Sequence, residues 1–251
     1  MLVFLTGRTD VGQGRQNNED CYLIMDGDDS IQFFAVADGM GGHNGGEVAS
    51  SMAIELGKSF FLRNKERLIE LSFQNVNQFI TDLFEQANES VWNKALENEH
   101  LAGMGTTLTL GIIMGSHLHV GHIGDSRAYI ISLGNIIQLT EDHSYVQKLV
   151  NENQLKAGEE KNHPKQNLLT RALGTDYSVE VDIYHYSLKP GDYVLLCTDG
   201  LTRMVSDEEI LDIINSCPGS EAADRLISTA NARGGPDNIT VLLVGLSNED
   251  Q

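Results

Sequence analysis

The amino-acid sequence predicts an α+β protein, and three features indicate that class. Apolar residues recur with three-and-four spacing from 72 to 98, which is typical of a long amphipathic helix. From 106 to 139 the chain instead shows short β-rich runs separated by glycine-containing turns. Two apolar runs, at 33–37 and 193–198, each end abruptly in an Asp-Gly pair and indicate buried strands.

The other elements follow from the same periodicities. A turn-rich connection between the runs at 21–25 and 31–37 predicts two antiparallel strands. The short runs predict a meander of antiparallel strands at 106–114, 117–122, 127–132 and 136–139. The remaining predictions are helices at 47–62, 142–157, 207–214 and 220–232, a polar surface excursion at 158–167, and a last strand at 239–246. No repeat, low-complexity block or linker divides the 251 residues, so we predict one domain over 1–251.

The charge balance argues against two classes of partner. The chain carries 17 basic and 36 acidic side chains, which gives a net charge of −19. Nucleic acids and anionic membranes are bound by clustered Lys and Arg, so we expect neither as a partner. Three cysteines without a CxxC pair suit a reducing compartment, and no apolar run has the length of a signal peptide core or a membrane span. We therefore expect a cytoplasmic protein.

The stretch from 36 to 47 is the clearest candidate for a functional site. Asp38 ends an apolar strand, and five glycines follow it within eight residues. Glycines at that density let the main chain approach an ion or a phosphate closely. A carboxylate beside carbonyl groups that can also act as ligands suits a hard cation such as Mg²⁺ or Mn²⁺.

Further acidic residues could complete such a site. The candidates at strand ends or turns are Glu19-Asp20, Asp38-Gly39, Gly124-Asp125, Asp199-Gly200 and Asp237-Asn238. They converge only if their strands lie side by side with the same ends together. The alternative is that the Asp-Gly pairs are simple turns. Two of them, however, follow an apolar strand and have no hairpin partner after them.

Seven motifs, in order along the chain, resemble those of the metal-dependent protein phosphatases, the type 2C or PPM family. The motifs are RQNNED at 15–20, DGMGGH at 38–43, GTT at 105–107, GHIGDSR at 121–127, LTEDHS at 139–144, CTDGL at 197–201 and PDNIT at 236–240. The resemblance extends over nearly the whole chain, from about 9 to 244, and the form without appended domains is similar to the bacterial branch.

The resemblance implies a four-layer αββα sandwich, in which two antiparallel sheets are flanked by helix pairs and a metal cleft lies at one end. It implies a monomeric enzyme that hydrolyses phosphoserine and phosphothreonine in proteins and opposes a serine/threonine kinase. The cofactors would be two Mg²⁺ or Mn²⁺ ions, with a site for a third. The segment 145–171 corresponds to the family's flap, which we expect to influence substrate choice. Two alternatives stay open: a non-catalytic relative that binds a phosphoprotein, and a phosphatase for small phosphomonoesters.

The resemblance assigns metal-ligating roles to seven residues: Glu19, Asp20, Asp38, Gly39, Asp125, Asp199 and Asp237. Asp38 would bridge two ions, and Gly39 would ligate through its carbonyl. Asp199 and Asp237 would hold one of these ions.

The other assignments concern the second ion, a third ion and the substrate. Glu19 and Asp20 would serve the second ion, directly or through water, and Asp125 would hold a third ion together with Asp199. Arg15 would bind the substrate phosphate, because its planar fork of donors matches two phosphate oxygens and a lysine could not copy it.

The proton donor for the leaving group is a point where this chain departs from many relatives. Many eukaryotic members of that family have a histidine at the position of Met40, and a methionine cannot donate a proton. His43 is the candidate substitute, and metal-bound water is its competitor. His143 we expect to start a helix beside the cleft without reacting.

Overall fold

The computed structural model describes residues 2–26, 31–41, 45–70, 73–156, 158–160, 163–217 and 219–247. The strands are β1 (Leu2–Asp10), β2 (Asp20–Asp26), β3 (Ile31–Met40), β4 (Gly105–Thr106), β5 (Leu108–Met114), β6 (His117–Ile123), β7 (Arg127–Ser132), β8 (Asn135–Gln138), β9 (Asp182–Ser187), β10 (Tyr193–Cys197) and β11 (Ile239–Ser247). The helices are α1 (Gly45–Glu70), α2 (Phe73–Glu97), α3 (Tyr145–Asn151), α4 (Asp199–Thr202), α5 (Asp207–Ser216) and α6 (Gly219–Ala232), and a 3-10 turn covers Glu99–Leu101.

The strands form two antiparallel sheets. One sheet has the order β1-β11-β10-β7-β8, and the other has the order β2-β3-β5-β6-β9, with the short β4 paired to β3. We call them the β11 sheet and the β3 sheet. Neighbouring strands in sequence lie in different sheets at several places, so residues far apart along the chain meet in space.

Alternating side chains place the sheets in a sandwich of four layers. On β3, Phe33 and Ala35 pack against α1 and α2, while Phe34 and Val36 face the other sheet. On β10, Leu195 packs with the apolar residues of α5 and α6 on the outer face of the β11 sheet. Strand periodicity sends successive side chains to opposite faces, so each sheet is apolar on both sides. The predicted α+β class and the two-sheet sandwich with outer helices are confirmed.

The predicted meander is wrong at one connection. β5 and β6 form a hairpin in the β3 sheet, and β7 and β8 form a hairpin in the β11 sheet. Between them, at Gly124-Asp125, the chain crosses from one sheet to the other. Gly124 has a φ of +114°, and a Cβ atom there would lie 2.4 Å from the Cγ2 atom of Thr107, so glycine is required. The crossing places Asp125 at the rim of the sandwich.

The boundaries of other elements also differ from expectation. Helix α1 is longer than the predicted 47–62, and α3 is shorter than the predicted 142–157. Helix α3 begins after Ser144, whose side chain caps it by accepting a hydrogen bond from the Gln147 amide. Strands β1 and β9 were not predicted. The connection at 27–30 lies outside the described residues. None of the described helices has the length and apolar character needed to cross a membrane.

Candidate active site

The inward face of the sandwich turns polar at one end of the strands. On β3 the side chains of Phe34 and Val36 lie between the sheets, and Asp38 continues the same face two residues further on. Asp20, at the start of β2, is the register partner of Asp38. On the β11 sheet, Thr198 follows β10 directly at the same end. Because alternate side chains of a strand lie on the same face, the apolar inward face continues directly into a cluster of oxygen-bearing side chains.

A cavity of about 250 Å³ opens at this end of the sandwich. Its lining residues are Arg15, Glu19, Asp38, Gly39, Met40, Gly41, Thr107, Asp125, Asn167, Leu169, Asp199, Arg203, Asp237 and Asn238. Seven of the residues predicted from the sequence lie in this lining: Arg15, Glu19, Asp38, Gly39, Asp125, Asp199 and Asp237. His43, the candidate proton donor, lies outside the described residues.

Asp20 differs from the other predicted ligands because it does not line the cavity. Its carboxylate is buried behind the cavity, where Oδ2 accepts hydrogen bonds from the Oγ1 atoms of Thr198 (2.8 Å) and Thr240 (2.7 Å). Burial raises the pKa of Asp20 to about 7, although these two hydrogen bonds oppose the shift. Oδ1 of the same carboxylate is buried and has no hydrogen-bond partner within the described residues, so direct ligation and contact through water both stay predictions for Asp20.

Thr107 holds Asp38 in place and links it to the Asp125 turn. The Asp38 amide donates to Thr107 Oγ1 (2.9 Å), and the Thr107 amide donates to the Asp38 carbonyl (2.9 Å). The hydroxyl groups of Thr107 and Ser126 lie 2.8 Å apart. Both threonines of the GTT motif are buried, so the hydrogen bonds that hold this part of the site in place are shielded from water.

Gly39 allows the start of α1 to lie against the strand end. A Cβ atom at Gly39 would lie 2.0 Å from the carbonyl oxygen of Gly46 and 2.7 Å from that of Glu19. The Gly39 amide donates to the Glu19 carbonyl (3.1 Å), which also accepts from the Ser50 hydroxyl (2.6 Å). Any larger residue at 39 would separate these segments.

Asn238 attaches the Arg15 loop to the start of β11. Its Oδ1 atom accepts from the Glu19 amide (2.8 Å), and its Nδ2 atom donates to the carbonyls of Val11 and Asn17 (2.9 Å each). The Arg15 side chain remains 46% exposed and reaches Asp237, with 3.0 Å between Nη2 and Oδ2. The PDNIT motif contains Asn238, but the sequence did not indicate its positioning role, which depends on the fold.

His143 supports the Asp125 turn from behind. Its amide donates to the Gly124 carbonyl (2.7 Å), and its Nδ1 atom accepts from the Gly124 amide (3.1 Å). Its Nε2 atom lies 3.0 Å from Asp182 Oδ2. Burial raises the pKa of Asp182, but hydrogen bonds from Arg171 and His143 lower it to about 2. His143 was expected to start a helix but lies two residues before α3, and it connects the turn to β9, which the sequence did not indicate.

The carboxylates that line the cavity repel one another. Burial, reinforced by the neighbouring carboxylates, raises the pKa of Asp38 and that of Asp125 well above the usual range. Burial also raises the pKa of Asp199 to about 6, against the opposing charge of Arg203. Glu19 shows a smaller rise, caused by burial and opposed by Arg15. A cation among these groups would favour their charged forms.

Among the described residues, no three His, Cys, Asp or Glu side chains are already arranged to hold a metal ion. Two carboxylates pair with guanidinium groups instead. Arg203 contacts Asp199 and lies 3.7 Å (Nη1 to Oδ2) from Asp237, which Arg15 also contacts.

The donor set nevertheless fits a hard divalent cation. All the candidate ligands offer oxygen atoms, and the buried Oδ1 atoms of Asp20 and Asp199 have no hydrogen-bond partner within the described part of the chain. A cation would satisfy such oxygens and remove the repulsion between the carboxylates. Binding through Asp199 and Asp237 requires these carboxylates to turn from their guanidinium partners toward the ion.

Arg203 is the charged residue of the described cavity lining that the sequence did not single out. Its distance from Asp199 is four residues, and four-residue spacing on a helix places two side chains on one face. That spacing was the available signal, but it was not distinctive, because most Asp-Arg pairs at this spacing are ordinary surface ion pairs.

Solved structures with this architecture define the class of protein. The structure superposes with a TM-score of 0.89 on the serine/threonine phosphatase of S. agalactiae, at 33% identity, over 98% of this chain and 100% of that one. The catalytic domain of the serine/threonine phosphatase PstP, solved with two manganese ions, gives a TM-score of 0.83 at 34% identity, over 98% and 99% of the two chains. The fold is that of the bacterial serine/threonine phosphatases.

Sequence comparison gives the family. The profile described as protein phosphatase 2C matches residues 6–240. The serine/threonine phosphatase Stp of Listeria welshimeri is 40% identical over 94% of this chain and 93% of its own length. The chain therefore belongs to the protein phosphatase 2C family.

Proposed function

We propose that the protein removes phosphate from phosphoserine and phosphothreonine in proteins, with Mg²⁺ or Mn²⁺ as cofactor. The observation that carries this proposal is the convergence of five carboxylates and Arg15 on one cavity, although they come from opposite ends of the chain. Family membership and the names of the relatives support the substrate class. The two manganese ions in the PstP structure support a two-ion site.

The proposed roles divide the carboxylates between the ions. Asp38 would bridge two ions, and Gly39, which also lines the cavity, would ligate through its carbonyl. Asp199 and Asp237 would complete one site. Glu19 would serve the second.

Two carboxylates have supporting positions in this proposal. Asp20 would act on the second site, directly or through water, from behind the cavity wall. Asp125, with Asp199, would hold a third ion.

Bound divalent ions lower the pKa of water and neutralise phosphoryl oxygens during in-line attack. The protein's own contribution is to bind and orient the substrate. Arg15 presents a planar fork of donors at the cavity mouth and would hold two phosphoryl oxygens. Met40 lines the cavity and has no proton to donate to the leaving oxygen. His43 remains the candidate donor, with water as its competitor.

The proposal includes a cellular setting. A phosphatase of this kind would oppose a cognate serine/threonine kinase, act as a monomer, and work in the cytoplasm. The net charge of −19 supports protein substrates over nucleic acid or an anionic membrane.

Two charge-neutral substitutions test the proposal. Asp38→Asn and Asp199→Asn should each lower the metal-dependent kcat/KM for a phosphothreonine peptide by about 10³-fold or more, a loss of about 4 kcal/mol in transition-state stabilisation. Asp224→Asn is the matched control, because Asp224 is exposed and pairs with Arg8 outside the cavity. Circular dichroism would verify that each variant is folded. Full activity of both cavity variants would contradict the proposal.

The same assay separates the alternatives. Wild-type kcat/KM values for phosphoserine peptides, phosphothreonine peptides and p-nitrophenyl phosphate are compared in saturating Mn²⁺. A higher value for the small ester than for either peptide would favour a small-molecule phosphatase. Tight peptide binding without turnover would favour a non-catalytic relative.

A further inference from the structure

Arg203 lies in the cavity lining, and the roles proposed for the other lining residues do not explain its presence there. It follows α4, the short helix that begins at Asp199, and its amide donates to the Asp199 carbonyl (2.9 Å). Its side chain is 24% exposed and lines the cavity. Within the described lining, Arg15 and Arg203 are the two cationic side chains.

The two guanidinium groups flank one carboxylate oxygen. Oδ2 of Asp237 lies 3.0 Å from Arg15 Nη2 and 3.7 Å from Arg203 Nη1. Arg203 also contacts Asp199. A guanidinium group has five N–H donors, so contacts with Asp199 and Asp237 leave donors that can face a ligand in the cavity.

Other arginines of the molecule are committed elsewhere. Arg127 makes three hydrogen bonds to Asp142 and one to the Tyr129 hydroxyl, and Arg171 binds the carboxylate of Asp182. Neither belongs to the cavity lining. Arg203 differs from both because its carboxylate partners, Asp199 and Asp237, line the cavity.

The charge of the lining favours a role for Arg203 in binding an anion. Five carboxylates and two guanidinium groups leave the ionised lining with a net charge of −3. Two divalent cations would change that charge to +1. Without Arg203 the loaded cavity would be neutral, and a phosphate monoester dianion would lose a substantial part of its attraction.

Arg203 also lies where the cavity meets a smaller one. A second cavity of about 70 Å³ shares Asp125, Asp199 and Arg203 with the first, and it is bounded by Ser144 and Gln166 among other residues around the flap. A substrate segment that places its phosphoryl group in the main cavity and runs toward the flap would pass this guanidinium group. Arg15 lies in the loop attached by Asn238, so the two arginines come from different elements of the wall.

We propose that Arg203 is a second phosphate-binding residue, which contacts the substrate's phosphoryl oxygens together with Arg15. This inference rests on the proposed phosphatase function. A phosphoryl group has three terminal oxygens, more than one guanidinium fork can bind, so a second donor group has an acceptor available. Arg203 would act on substrate and product affinity, whereas a residue that only orients Asp199 would act on affinity for the metal.

The experiment compares Arg203→Gln and Arg203→Lys with the wild type in saturating Mn²⁺. Arg203→Gln should raise KM for a phosphothreonine peptide and the inhibition constant of inorganic phosphate by about tenfold, the effect of about 1.4 kcal/mol. Arg203→Lys should recover part of the loss, because it keeps the charge but not the fork. Arg8→Gln is the matched control, since it removes the same charge from an exposed pair with Asp224.

The dissociation constant for Mn²⁺, measured by calorimetry, decides between the two roles. It should stay the same or decrease in Arg203→Gln, because a positive charge beside Asp199 and Asp237 is removed. Weaker Mn²⁺ binding, or unchanged phosphate inhibition, would overturn the inference. If the wild type shows no turnover, the proposed function fails separately, and calorimetric titration of the Mn²⁺-loaded proteins with inorganic phosphate still tests Arg203.

Discussion

The middle of the sandwich and its polar end are built from the same strands with opposite chemistry. On β3 the inward face carries Phe34 and Val36 in the middle and Asp38 at the end. After β10, Thr198 follows the inward Leu196. The middle is stabilised by burial of apolar surface, while the end gathers carboxylates whose burial and mutual repulsion oppose folding. The same inward face of these strands therefore forms the hydrophobic core in the middle of the sandwich and the candidate site at its polar end.

The largest difference should appear in stability. Leu196→Ala removes a fully buried side chain from between the sheets, so the free energy of unfolding should fall by about 2–5 kcal/mol. Asp38→Asn changes the residue that follows Val36 on the same face of β3, at the polar end. It should leave the free energy of unfolding of the metal-free protein unchanged or raise it, because it removes one of several repelling carboxylates. Urea unfolding of both variants measures the contrast.

Leu62→Ala is the control for Leu196→Ala, because Leu62 is 57% exposed on α1. This substitution should change the free energy of unfolding by no more than about 0.5 kcal/mol. Equal destabilisation by Leu196→Ala and Asp38→Asn would contradict the comparison. It would mean that the carboxylate contributes to the fold as an apolar residue does.

A smaller effect should come from the boundary between the two regions. Thr240 donates to the buried Oδ2 atom of Asp20 (2.7 Å), and its hydroxyl oxygen also lies 2.8 Å from that of Thr9, so Thr240→Val removes both contacts without changing the shape of the side chain. The free energy of unfolding at pH 8 should fall by about 1–3 kcal/mol, because a buried carboxylate loses one of its two hydrogen bonds. Thr229→Val, on the outer helix α6, is the matched control. A loss no greater than the control would show that Asp20 is protonated or solvated in the folded protein.

A graded effect should appear as a dependence on pH. His122 is buried, its Nδ1 atom lies 2.9 Å from the Thr109 hydroxyl, and its Nε2 atom lies 3.1 Å from the Glu141 carbonyl. Both nitrogens are satisfied in the neutral ring, which donates through Nε2 and accepts at Nδ1. Burial, with a contribution from His143, lowers the pKa of His122 to about 3.

The sign of that dependence follows from the lowered pKa. The unfolded chain binds a proton near pH 6.5 and the folded protein does not, so the stability from His122 is complete above pH 6.5 and is lost as the pH falls toward 3. The slope from this residue is at most about 1.4 kcal/mol per pH unit. His122→Gln should reduce the slope measured by urea unfolding between pH 6.5 and 4.5. The charges nearby, Asp182 and Arg171, remain in both proteins, so an identical slope would contradict the assignment.

The sequence predicted much of the fold because several elements carry strong local patterns. The spacing of apolar residues located α2 to within one residue at each end, and the apolar run before Asp199 located β10. Strands β1 and β9 were missed because their pairing partners, β11 and β6, lie far away along the chain. Local patterns contain no information about such partners.

The sequence likewise predicted some residues of the candidate site and missed others. The motifs gave Asp38, Asp125 and Arg15, and all three lie in the cavity lining. They also gave Asp20, as a ligand that acts directly or through water, and two threonine hydroxyls of the opposite sheet hold it behind the cavity wall. Arg203 was missed because nothing in its local sequence distinguishes it from a surface arginine.

The sequence by itself determined which side chains share a face, because the strand period is two and the helix period is near 3.6, and these periods depend only on local backbone geometry. Only the tertiary structure decided which faces meet. The crossing at Gly124 moved β7 into the other sheet, and that placement brought Asp125 to the cavity that also contains Asp38 and Asp199. Long-range packing of apolar faces selects among many arrangements with the same local pattern, so the position of the site depends on the whole fold.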